Sequence, residues 1–149
     1  MIVGEGPEGQ NIPGAAGAMA IEAHVILTGF LREPPRYMGL FDVFALSSRS
    51  ERAPISGLEA MAAGLPGVAP QVGDIPAMVG ERNRHFLPPE RTEVVLRDRI
   101  DMFVRHPEER TMVGEENRAR VRALFDEGEM IAAYARLYGA AMGRPDALR

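Results

Sequence analysis

The sequence predicts an α/β fold in which a Rossmann-like parallel sheet is flanked by helices and followed by a helical C-terminal segment. Three observations predict it. Short apolar runs at residues 24–28, 42–46 and 67–69 end in Gly, Ser or Pro signals, as buried parallel strands do. Helix-compatible stretches separate these runs, the order expected of β-α units. Beyond residue 90 the pattern changes to amphipathic helices alone.

Ile2-Val3 is the tail of a strand that runs into the turn Gly4-Glu5-Gly6-Pro7. A helix is due over residues 8–20, yet Gly9, Pro13, Gly14 and Gly17 oppose it. Each Gly costs about 1 kcal/mol and an interior Pro about 3, so only a weak helix after Pro13 is expected. His24-Val25-Ile26-Leu27-Thr28 is a strand closed by Gly29, and Pro34-Pro35 opens a short helix through Met38. The strand Asp42-Val43-Phe44-Ala45-Leu46 leads into a polar loop and a helix over residues 56–63, stopped by Gly64 and Pro66. Gly67-Val68-Ala69 forms the next strand, Asp74 caps a short helix to Val79, and Phe86-Leu87 before Pro88-Pro89 is the last strand. Helices then cover 91–105, 108–125 and 128–142. Val94, Val95, Ile100, Phe103 and Val104 give the first an apolar stripe; Ile131, Tyr134, Leu137, Tyr138 and Ala141 give one to the last. The charge-rich stretch 105–122 reads as a solvated face, and the nine methionines as core packing.

With 149 residues, 46% hydrophobic and 26% charged, the chain is long enough for one core, so one domain over 1–149 is expected. The net charge of −4 gives no electrostatic reason for binding nucleic acid or an anionic membrane. The absence of cysteine excludes disulfides and thiolate chemistry and fits a reducing compartment. No secretory signal and no apolar stretch near the ~18 residues of a membrane span is present, so a soluble, cytoplasmic protein is expected. His24, His85 and His106 are scattered without metal-ligand spacing; His106, before Pro107, reads as a helix-end cation.

Gly4-Glu5-Gly6-Pro7-Glu8-Gly9 matches G-x-G-x-x-G by letter, but a dinucleotide site is disfavoured. The strand before it is a stub, the helix after it is broken, and the ribose-binding acid about 20 positions on is missing. Ligands of parallel sheets sit beyond the carboxyl ends of the strands, which selects the loops after Val3, Thr28, Leu46 and Ala69. Glu51 lies in one of these loops and Glu59 in the helix that follows. Two carboxylates there suit a polyhydroxylated ligand, with the first free amides, Ile55 and Ser56, suited to phosphate oxygens. The same residues also read as a capping box, Ser56-x-x-Glu59, beside a solvated loop charge at Glu51.

Ser48-Arg49-Ser50-Glu51, then seven residues, then Glu59-Ala60-Met61-Ala62-Ala63-Gly64-Leu65-Pro66, resembles the donor-binding half of GT-B fold retaining glycosyltransferases of family 4, which carry two glutamates separated by seven residues. Val25-Ile26-Leu27-Thr28-Gly29-Phe30, Phe41-Asp42-Val43-Phe44-Ala45-Leu46 and Val72-Gly73-Asp74-Ile75-Pro76 continue the resemblance in order. It implies the C-terminal half of a GT-B fold, a nucleotide-diphosphate sugar as donor substrate, and no metal or other cofactor. Position by position it implies that Glu59 binds the ribose hydroxyls, that Glu51 is the catalytic-site carboxylate facing the transferred sugar, and that the amides of Ile55 and Ser56 meet the distal phosphate. Donors aimed at the leaving phosphate would then stabilise the charge that grows in the transition state.

The resemblance also marks departures. By the resemblance, an acceptor domain and the first donor-domain strand, with its phosphate-binding Arg and Lys, are expected to be absent from this chain. Arg52 replaces a usual glycine, Pro70 a usual threonine or serine, and Ala77 a usual glutamate. Arg52 or Arg49 would have to replace the lost cations, whose charge-assisted bonds contribute about 1.5–3 kcal/mol each. Two functions follow. One is the donor half of a glycosyltransferase, completed by an acceptor-domain chain; the other is a catalytically inactive domain acting through protein contacts, a second copy of itself included.

Overall fold

The computed structural model describes residues 1–90 and 92–144. It divides into two compact units, Met1–Arg36 and Tyr37–Arg149. In the first unit, Pro7–Gln10 forms a 3-10 turn and Asn11–Ala18 forms helix α1. Helix α1 starts before Pro13, not after it. Proline stands third in the helix, where an amide has no intrahelical acceptor, so its missing N–H removes no bond.

Residues 24–28 are not the regular strand expected. Glu22–His24 is a 3-10 turn, and pairing is reduced to isolated bridges, parallel between Ile2 and Leu27 and antiparallel between Gly4 and Gly29. Ile2 N donates to Ile26 O at 2.8 Å, and Thr28 N to Ile2 O at 3.1 Å. Ile26 and Leu27 remain 59% and 41% exposed. Apolar side chains without a covering layer do not stabilise an extended pleat.

In the second unit, β1 (Phe44–Ala45) pairs in parallel with β2 (Gly67–Val68), Phe44 opposite Gly67. Phe44 N donates to Pro66 O at 3.0 Å and Leu46 N to Val68 O at 2.9 Å. Helix α2 (Ile55–Ala63) is the crossover between them, ended by Gly64 in the left-handed region at φ +81. Short helices α3 (Ile75–Met78) and α4 (Glu81–Arg84) follow. Asp74 stands at the N-cap of α3 as expected, but its side chain makes no capping bond; its carbonyl accepts from Ala77 N and Met78 N.

Phe86 and Leu87 are buried, yet they are not a strand. Their amides donate to Asn83 O and Arg84 O, which closes helical turns. Pro88 and Pro89 carry no N–H with which to extend a ladder. Among the described residues three long helices follow: α5 (Glu93–Arg105), α6 (Pro107–Leu124) and α7 (Glu127–Ala141). They lie within two residues of their expected bounds; Arg91, the first residue expected in α5, is outside the described residues. Thr92 caps α5 by accepting from Val95 N at 3.3 Å, and Asp126 caps α7 by accepting from Glu129 N at 3.0 Å.

The core lies between the strands and helices α2 to α6. Val68, Phe86, Phe103 and Val113 form one cluster, with the Phe86 and Phe103 rings stacked at 4.0 Å. Met61, Ile75, Val79, Leu87 and Val121 form another. Only Met38, Met61 and Met78 are core methionines; Met1, Met19, Met102, Met112, Met130 and Met142 are exposed, which corrects the expectation for those six. Helix α6 likewise does more than face solvent. Its Glu116 accepts from Glu81 N at 2.6 Å, Arg118 donates to Ala63 O, and Arg120 donates to Met78 O at 2.8 Å. These side chains saturate the ends of α2, α3 and α4, where helix termini leave amides and carbonyls unpaired. The stripe expected on α7 exists but faces outward: Ile131, Tyr134, Leu137 and Tyr138 are all exposed.

Candidate functional site

Because β1 and β2 run parallel, the loops after Leu46 and Ala69 leave from the same, carboxyl end of the sheet. The loops after Val3 and Thr28 belong to the first unit. The loop after Leu46 carries Glu51, whose Oε1 accepts a hydrogen bond from Ser48 Oγ at 2.6 Å. Both residues are half-buried. The Gly73-Asp74 turn lies against the backbone of this loop. Asp74 N donates to Arg52 O at 2.8 Å, and a Cβ on Gly73 would stand 2.0 Å from Glu51 O. With φ at +55, Gly73 is glycine for two reasons, the left-handed backbone and the absence of room.

Pro54 occupies the N-cap of α2, and its carbonyl accepts from Gly57 N at 3.0 Å and Leu58 N at 3.3 Å. The amides of Ile55 and Ser56 have no acceptor among the described residues, as expected for the first turn of a helix. Glu59 lies one turn further on, on the same face as Ile55. It is half-buried and makes no hydrogen bond or ion pair among the described residues. Ser56-x-x-Glu59 is therefore not a capping box: Ser56 is the second helical residue, and no side chain caps α2. Arg52 is exposed beside this helix end.

Pro70 and Ser47 line an open hollow of about 210 Å³ beyond the strand ends, bordered also by Glu90, Thr92 and Glu93. Among the described residues no group of three or more His, Cys, Asp or Glu could hold a metal ion. Among them, too, no helix is long and apolar enough to cross a membrane.

Asn83 and Asn117 were not singled out by the sequence, yet both are fully buried and tie β2 to helices α4 and α6. Asn83 Oδ1 accepts from Gly67 N at 2.8 Å and its Nδ2 donates to Gly67 O at 2.6 Å, so one amide side chain serves β2 as a neighbouring strand would. Asn117 Nδ2 donates to Asn83 Oδ1 at 2.7 Å and to Leu65 O at 3.1 Å, while its Oδ1 accepts from Gly80 N at 3.0 Å. The spacing of Val113, Asn117 and Val121 on one helical stripe is the signal that places Asn117 inside. Asn83, within Glu81-Arg82-Asn83-Arg84, carries no such signal.

Residues 1–120 match the sequence model of the family described as Glycosyl transferases group 1. The chain is 25% identical over 138 residues to the N-acetyl-alpha-D-glucosaminyl L-malate synthase of Bacillus anthracis, covering 93% of this chain and 36% of that protein. Among solved structures, HepE of Anabaena in complex with UDP-glucose superposes with a TM-score of 0.80 at 22% identity, over 93% of this chain and 40% of that one. The sucrose-phosphate synthase of Thermosynechococcus elongatus gives 0.78 at 21%, over 95% and 38%. The chain thus spans less than half the length of each. These likenesses show the fold, the C-terminal half of a GT-B architecture.

Proposed function

From the premise that this chain belongs to the glycosyl transferases group 1 family, we propose that it binds a nucleotide-diphosphate sugar and forms the donor half of a retaining glycosyltransferase. The observation that carries this reading is Glu59, a half-buried carboxylate without a described partner, one turn below the open amides of Ile55 and Ser56. A half-buried carboxylate has lost part of its hydration and accepts replacement donors, of which vicinal ribose hydroxyls supply two. The helix end, carrying partial positive charge, receives the distal phosphate, and Arg52 with Arg49 adds cations. Glu51, held in its loop, faces the transferred sugar. The proposed transfer is metal-independent: amides and guanidinium groups stabilise the diphosphate as it leaves. We place the reaction in the cytoplasm, with an acceptor domain completing the crevice. HepE, the structural neighbour solved with UDP-glucose, makes a uridine nucleotide the first donor to test.

Calorimetric titration with UDP-glucose and GDP-mannose tests the proposal. One of them binds with a Kd on the order of micromolar, and Glu59→Ala weakens it about 30-fold or more by removing two charge-assisted bonds. No binding of any nucleotide sugar at millimolar concentration would remove the donor-binding function. One observation favours a second reading, a domain that works through protein contacts. Met130, Ile131, Tyr134, Leu137 and Tyr138 form an apolar face on α7, each more than half exposed. An apolar face of this kind is typical of a surface covered by another chain or domain.

A further inference from the structure

We propose that Ser48 is a positioning residue for Glu51, fixing the carboxylate for the sugar and leaving nucleotide affinity untouched; this rests on the donor-binding reading above. The Ser48 hydroxyl donates to Glu51 Oε1 at 2.6 Å, the short range of O–H to carboxylate bonds. Ser48 stands two residues beyond Leu46, whose amide is bonded to Val68 O at 2.9 Å, so the sheet sites the hydroxyl. On the other side, Gly73 packs closely against the Glu51 carbonyl, and the Asp74 amide donates to Arg52 O at 2.8 Å. The loop is thus tied to the turn after β2 at the Arg52 carbonyl and to the exit of β1 through the Glu51 side chain. A glutamate side chain otherwise samples several rotamers, and freezing it opposes binding. The Ser48 bond selects one conformer in advance. It occupies one lone pair of Oε1 and leaves Oε2 free to accept sugar hydroxyls. Ser48 itself need touch neither the nucleotide nor the sugar.

The quantity that isolates this role is the affinity ratio of UDP-glucose to UDP, measured by calorimetry on the full chain and on Ser48→Ala and Ser48→Thr, with circular dichroism confirming that each folds. Ser48→Ala lowers the ratio about 3- to 10-fold, the worth of one hydrogen bond, while UDP alone binds within about 2-fold of the parent. Ser48→Thr, which keeps the hydroxyl, restores the ratio. An unchanged ratio in Ser48→Ala overturns the proposal, as does an equal loss of UDP and UDP-glucose affinity, which marks a purely structural serine. If the parent chain binds neither ligand, the donor-binding reading fails and this role falls with it; if the parent shows a sugar increment independent of Ser48, this role alone fails.

Discussion

Replacing Asn117 by leucine lowers the unfolding free energy by about 2–5 kcal/mol. Leucine has the same number of side-chain heavy atoms as asparagine and is somewhat bulkier, so no cavity opens and the loss comes chiefly from hydrogen bonding. Gly80 N–H and Leu65 C=O, both buried, lose the partner that Asn117 gives them. Each buried polar group left unpaired costs about 1–3 kcal/mol. Asn83 keeps its two bonds to Gly67 but loses the donor that orients it, so the outer edge of β2 loosens as well. Urea denaturation checks this against Glu115→Gln, an exposed change on the same helix, which shifts stability by no more than about 0.5 kcal/mol. Equal midpoints for the two variants would show that the asparagine pair is dispensable.

Gly73→Ala is expected to disable the site as well as weaken the fold. The new Cβ would stand 2.0 Å from Glu51 O and 2.9 Å from Arg52 O. Both obstacles are backbone atoms, so no rotamer change relieves them, and the left-handed φ adds about 1 kcal/mol of its own. The loop carrying Glu51 must move, breaking the bond from Asp74 N to Arg52 O. Stability falls by about 2–3 kcal/mol, in the range of overpacked sites, and UDP-glucose affinity falls at least tenfold. The control is Gly39→Ala, where a Cβ meets nothing within 4 Å and φ is not left-handed. Binding by Gly73→Ala at the affinity of the parent would show that the position of Glu51 is irrelevant to the ligand.

The helical third of the chain was readable because amphipathic periodicity is local. The caps Thr92 and Asp126, which were not singled out by the sequence, start α5 and α7 at Glu93 and Glu127 and so account for the shifts of one or two residues from the expected bounds. Strands were harder to read. A two-residue ladder such as Phe44–Ala45 with Gly67–Val68 is fixed by its partners, and an apolar string alone does not say whether anything covers it. Ile26 and Leu27 are such a string left exposed, whereas Phe86 and Leu87 are buried in a turn. Glu51 and Glu59, the carboxylates of the proposed site, were selected because their spacing and surrounding residues carry the family pattern. Gly73, Asn83 and Asn117 act by close approach and hydrogen bonds across 16 to 52 positions, so although the helical stripe marks Asn117 as buried, no local pattern encodes its partners. The same contacts discard the capping-box reading of Ser56 and Glu59, since Pro54, not Ser56, is the cap.

The most direct test of the central claim, that the α2 N-terminus and its glutamates form the donor site, is an amide NMR titration of the full chain with UDP-glucose. The largest shifts should fall on Ile55 and Ser56, with Glu51 and Glu59 next, and Glu59→Ala should remove them. Shifts centred instead on Thr92 and Glu93, at the open hollow beyond the strands, or no shifts at millimolar ligand, would contradict it.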